Sequence, residues 1–175
     1  AAASPILWFH VLRPYQRERI MTVFNPDADP LGAGYHVAQA KAAIGSGGFN
    51  GSGWLEGTQT HLGFIPEQHT DFIFAVIGEE FGFIGFAILM AMYLFLMGRV
   101  LRILLKLDDI YAKSFIGGIL SILFAYIFVN IGMVVGLLPV VGVPLPLISY
   151  GGTATLTMTF SLGLVSAYSM QKLKN

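Results

Sequence analysis

Glu67, His69 and Asp71 occupy alternate positions in FIPEQHTDFIFAVIGEE, residues 64–80. In extended backbone, alternate side chains point the same way. The three would then form one cluster suited to holding a metal ion or moving a proton. The structural alternative is that Asp71 caps the apolar helix that follows, since aspartate is a favoured N-cap whose charge complements the helix's positive end. Capping explains Asp71 but not the polar PEQHTD run beside it, and the residues alone leave both readings open. Two helical turns on, Glu79 and Glu80 are too costly to present to lipid. They face a cavity or a partner, or they snorkel to the interface.

A second candidate is Ser149-Tyr150-Gly151-Gly152. Its hydroxyls and bare amides could line a polar cavity, or its glycines could simply allow close helix packing. The glycine run at 45–53 offers amides to an anion, but it lacks the Lys-Ser/Thr of a P-loop and any strand–turn–helix setting. It reads as a pliable loop. Asp27-Ala28-Asp29 has carboxylate spacing for a divalent ion, yet between Pro26 and Pro30 it reads more simply as an Asx-type turn. Tyr93, Tyr126, Phe124 and Phe128 read as packing and belt residues, and His10, His36 and His61 are isolated.

These residues need elements to hold them. The chain has 175 residues, 55% hydrophobic and 11% charged, with a mean hydropathy of +0.69. Soluble domains carry about 25% charged residues, so the composition predicts an all-α polytopic membrane protein. Ten basic and ten acidic side chains cancel, leaving no global field for nucleic acid. With no cysteine, disulfides, thiolate nucleophiles and cysteine metal sites are excluded.

Three segments reach the roughly 20 residues a helix needs to cross a bilayer, at about 72–98, 114–138 and 152–170. Pro139, Pro144 and Pro146 divide the last two. AAASPILWFHVL, residues 1–12, reads as the end of a preceding span. That leaves 13–70 as a long extracytoplasmic loop and 71–175 as a three-helix transmembrane region. A short helix from about Tyr35 to Ile44, stopped by glycines, is expected in the loop, with Trp54 as an interface anchor.

Arg99, Arg102 and Lys106 follow the first span, and Lys172 and Lys174 follow the third. Short basic flanks stay in the cytoplasm, so Asp71 and the Ser149 turn share the outer side. Arg13, Arg17 and Arg19 run against this count, but no segment between Arg13 and Thr70 could recross, and long loops escape the rule.

RPYQRERIMTVFNPDADPLGAGYHVAQAKAAIGSGG, IPEQHTDFIFAVIGEEFGFIG and VNIGMVVGLLPVVGVPLPLISYGG, three separated motifs in order, closely resemble the SEDS family of shape, elongation, division and sporulation proteins. DPLGAGYH and LPVVGVPLPL bring the likeness nearer to the rod-shape branch than to the division branch. Ile65 and Thr153 stand where leucine and serine are common, both mild swaps. The resemblance covers almost the whole chain, as the C-terminal half of a ten-span protein, and implies that all of it belongs to one larger SEDS domain. It implies a peptidoglycan glycosyltransferase that polymerises lipid II at the extracytoplasmic face of the bacterial cytoplasmic (inner) membrane during cell-wall elongation. The family's essential aspartate, in HTDFIF, maps onto Asp71. A class B penicillin-binding protein is the implied partner, beside membrane lipids.

The sugars of a lipid-linked disaccharide lie at headgroup depth, which accounts for an acid at the lip of a span. Asp71 is expected either to take a proton from the acceptor hydroxyl as undecaprenyl diphosphate leaves, or to ligate a divalent cation, Mg or Mn. Loop arginines or that ion would meet the diphosphate's charge. Glu67, His69 and Thr70, with Ser149, Tyr150, Gly151 and Gly152, are the candidate substrate-binding residues. Two other classes compete: a lipid-precursor flippase, weakened by the lack of a mid-span acid, and a non-catalytic scaffold for the penicillin-binding protein. Without the family's earlier spans, this chain alone is expected to be inactive.

Overall fold

The computed structural model describes residues 33–57 and 70–172, together with Gln16 and Met21. The expected span end at 1–12 and most of the long loop, including Asp27, Asp29, Glu67 and His69, lie outside the described residues. Among the described residues the helices α1 (Ala33–Gly47), α2 (Ile73–Lys106), α3 (Ile110–Val134) and α4 (Gly152–Lys172) follow one another. No strand occurs among the described residues, as the composition predicts.

The first span differs from the expected continuous rod. α2 is interrupted at Gly82, whose φ of 61° and ψ of −153° lie in a region that only glycine occupies without strain. Phe74 and Phe86 are twelve residues apart, about 18 Å along a straight helix, yet their ring centroids lie 5.5 Å from each other. The segment before Gly82 is thus folded back against the segment after it. Ile44, Phe74, Gly78, Phe83 and Phe86 line an apolar cavity of about 260 Å³ in this elbow.

Breaking a helix orphans backbone groups, and buried orphans are costly. The glycine run supplies their partners. Ser52 and Gly53 donate N–H groups to the carbonyls of Glu79 and Glu80 (2.9 and 3.1 Å), while Phe83 and Ile84 donate to Gly48 and Phe49 (3.0 and 3.3 Å). A side chain at Gly47 would overlap the Gly78 carbonyl, and one at Gly51 would overlap that of Glu80. The run is therefore a docked latch and not the pliable loop expected, because its bare backbone fits a groove closed to any Cβ. Under this latch Glu79 and Glu80 are 0% and 7% exposed. They face protein, which decides against snorkelling.

α2 and α3 are joined by Leu107, Asp108 and Asp109, a connection short enough to force antiparallel neighbours. Asp109 caps α3 by accepting from the Tyr111 and Ala112 N–H groups, so α3 starts four residues earlier than the expected Ser114. α3 ends in a Schellman motif around Gly136 at φ 73°. There Gly136 N–H bonds Met133 and Leu137 N–H bonds the Gly132 carbonyl. α1, longer than the expected 35–44, packs over this end of the bundle.

Among the described residues, α2 and α3 are long and apolar enough to cross a membrane, each with a mean hydropathy of 2.1. Only 17% and 33% of these stretches is buried, the reverse of core helices in a soluble domain. Phe95, Met92, Phe124 and Phe128 are exposed on their flanks, an apolar surface of the kind that meets lipid. The chain is a membrane protein. α4 is long enough to span but carries Thr153, Thr155, Thr157, Thr159 and Ser161. Thr157 and Ser161 turn their hydroxyls onto the carbonyls of Thr153 and Thr157, one helical turn back, which lowers the cost of an apolar setting.

Candidate functional site

Asp71 lies at the start of α2, but Phe72 and not Asp71 holds the N-cap position. The folded-back segment carries Thr70 and Asp71 against α3 and the loop at 139–151. Asp71 does not stand at the top of a straight rod, because the Gly82 elbow turns its segment into the bundle.

The loop at 139–151 contains Pro139, Pro144 and Pro146, none of which has an N–H to give. Its carbonyls therefore need donors from elsewhere. Asn130, 0% exposed on α3, donates from its single amide nitrogen to the carbonyl of Val143 at 2.7 Å and to that of Asp71 at 2.9 Å. Tyr93 on α2 donates to the Pro146 carbonyl at 2.6 Å. Ser149, itself 5% exposed, accepts from the Leu145 N–H at 2.7 Å and donates to the Thr70 carbonyl at 2.5 Å. Three side chains thus sew the loop to the two helices.

Gly142 closes the arrangement. Its φ is +72°, and a Cβ there would lie 3.2 Å from Oδ2 of Asp71. The carboxylate rests over a turn whose lack of side chain makes room for it. This brings Asp71 and Ser149 to the same end of the bundle, the pairing that the basic-residue count predicts.

The other sequence candidates are distributed unevenly. Ser149 has its hydroxyl engaged by Leu145 and Thr70, and Tyr150 is 82% exposed. Gly151 is half-buried beside Pro144, and Gly152, exposed, opens α4. Thr70 is half-buried and presents its carbonyl to Ser149. Glu67 and His69 lie outside the described residues. No group of three or more His, Asp or Glu side chains at metal-binding spacing occurs among the described residues.

Four residues of this end are unassigned or differently read in the sequence. Asn130 is a lone amide in a charge-free apolar run, a signal that points to a buried hydrogen-bonded role. Tyr93, read as packing or belt, is buried with its hydroxyl on the loop. His36 of α1 meets the Phe72 ring edge-on at 6.4 Å, next to Asp71, and Lys41 of α1 places its amine over Gly136 at the carbonyl end of α3. Cations near a helix C-terminus are favoured.

Comparison with known proteins gives a consistent set of matches. The family model FtsW/RodA/SpoVE, described as cell cycle protein, matches residues 1–174. Peptidoglycan glycosyltransferase MrdB of Escherichia coli (strain K12) is 55% identical over 165 residues, covering 94% of this chain and 45% of that protein. Peptidoglycan glycosyltransferase RodA of Treponema pallidum (strain Nichols) is 42% identical over 170 residues, 97% of this chain and 39% of that one. A chain from a solved structure, described as "Structural coordination of polymerization and crosslinking by a peptidoglycan synthase complex", superposes with a TM-score of 0.78 at 32% identity. The match covers 99% of this chain and 46% of that one. The present chain spans less than half the length of these relatives.

Proposed function

This chain belongs to the FtsW/RodA/SpoVE family of cell cycle proteins, and from that premise we propose that it forms the C-terminal half of a peptidoglycan glycosyltransferase. The protein polymerises lipid II into glycan strands at the outer face of the bacterial inner membrane. Residues 71–175 act as a three-helix transmembrane region, α4 being the third span, within one larger domain that includes the loop at 13–70. Relatives named peptidoglycan glycosyltransferases support the activity. The observation that carries the site is the Asp71 carboxylate held over the Gly142 turn.

Asp71 acts as general base. In its ionised form it accepts the proton of the acceptor's sugar hydroxyl. That oxygen attacks the donor's anomeric carbon, and undecaprenyl diphosphate departs from the opposite face with inversion. In the alternative role, Asp71 with the substrate's own oxygens would hold a divalent cation, Mg or Mn, which would supply charge to the leaving diphosphate. Lys41 and the loop arginines are candidates for the same service. A class B penicillin-binding protein, consistent with the polymerisation and crosslinking named for the matched complex, would receive the strand.

The test is polymer formation from purified lipid II by the full-length parent. Asp71→Ala is expected to slow polymerisation about 10²–10⁴-fold, the usual worth of general-base help. Undiminished polymer in that variant removes Asp71 from the chemistry, and lipid translocation without polymer marks a flippase instead.

A further inference from the structure

We infer that Asn130 is a positioning residue for Asp71: its one amide nitrogen sets the distance between the Asp71 backbone and the turn that faces the Asp71 carboxylate. This rests on the reading of Asp71 as the catalytic base and adds to it the group that aims that base.

The geometry is specific to an asparagine. A primary amide nitrogen has two protons, and here both are used, one on the Asp71 carbonyl and one on the Val143 carbonyl. Two carbonyl acceptors require the NH₂ and not the oxygen at that position, which fixes the amide's orientation. Val143 follows Gly142, the residue whose missing Cβ makes room for Oδ2 of Asp71. One side chain therefore ties together both walls of the carboxylate's seat. The carbonyl and Cβ of Asp71 hang from the same Cα, so pinning the carbonyl also limits where the carboxylate can point. Asn130 itself sits fully buried near the end of α3, close to the hydrogen-bonded Schellman turn, so packing holds it on every side.

No ordinary replacement reproduces this. Serine has one proton to give, an ionised aspartate has none, and leucine keeps the volume while deleting both donors. Asn130 does not touch the reacting atoms; it acts through Asp71. Misplacing a catalytic group by about 1 Å can cost about 100-fold in rate, and the loop's other tethers, Tyr93 and Ser149, hold Pro146 and Thr70 and not the Asp71–Val143 pair.

The experiment uses the complete protein in nanodiscs, with Asn130→Leu, Asn130→Ala and Asp71→Asn compared to wild type. Labelled lipid II gives two readouts: binding stoichiometry with affinity, and turnover per binding-competent molecule. Asn130→Leu is expected to bind within about threefold of wild type while turnover falls about 10–100-fold. Asn130→Ala repeats the measurement should leucine prevent folding. Wild-type turnover in the Asn130 variants beside an inactive Asp71→Asn overturns this inference alone. Loss of binding together with turnover in both Asn130 variants also overturns it, since the amide then serves only the fold. Wild-type turnover in Asp71→Asn removes the base itself, and the inference with it.

Discussion

Two seams in this molecule solve one problem by opposite means. At the Gly82 elbow, four orphaned backbone groups of α2 are met by backbone groups of the glycine run. At the Asp71 end, backbone carbonyls of the proline-bearing loop and of Thr70 and Asp71 are met by side chains, from Asn130, Tyr93 and Ser149. The cause is donor supply. Glycines keep their N–H groups and allow close approach, so two stretches of main chain can pair directly. Prolines give up their N–H groups, so the loop is rich in acceptors and must borrow protons. The elbow is therefore sensitive to size, and the Asp71 seam to hydrogen-bonding chemistry.

That contrast is broken most forcefully at Gly51 and Gly82. Their φ values are 83° and 61°, and a Cβ at either would overlap the other segment. Gly51→Val and Gly82→Val are each expected to cost about 2–5 kcal/mol through strain and overpacking. Thermal unfolding in detergent measures the loss. Amide exchange should rise at Ser52, Gly53, Phe83 and Ile84, and unchanged protection there would dissolve the latch. On the other side, Tyr93→Phe keeps the ring and deletes one hydroxyl, stranding the Pro146 carbonyl for about 1–3 kcal/mol. Its exchange effect should stay in the 145–149 region and leave the elbow untouched. The smallest effect is at a third kind of helix end. Asp109→Ala removes an exposed side-chain cap and is expected to cost about 1 kcal/mol, fraying only the start of α3 and neither seam.

The first two apolar segments were legible as long helices because apolar runs about 20 residues long leave few alternatives. Their ends were less so. α2 continues past Gly98 through Arg99, Arg102 and Lys106, long side chains that favour helix and can snorkel. The start of α3 had a signal in Asp109, a cap placed directly before an apolar run. The elbow had none that a single segment could show, because a glycine inside a helical pattern is usually tolerated. What breaks the helix at Gly82, and not at Gly85 or Gly98, is the groove that the glycine run fills, a contact between distant stretches. At the site, charge placement along the chain was enough to bring Asp71 and Ser149 to one end. It could not reveal Asn130, whose role depends on two carbonyls that other elements deliver.

The sequence separations at the two seams also set the order in which their parts are made. The glycine run is synthesised before the helix it latches. Asn130 and Ser149 stand 59 and 79 residues after the groups they hold. The carboxylate's seat can close only once the last loop has been made.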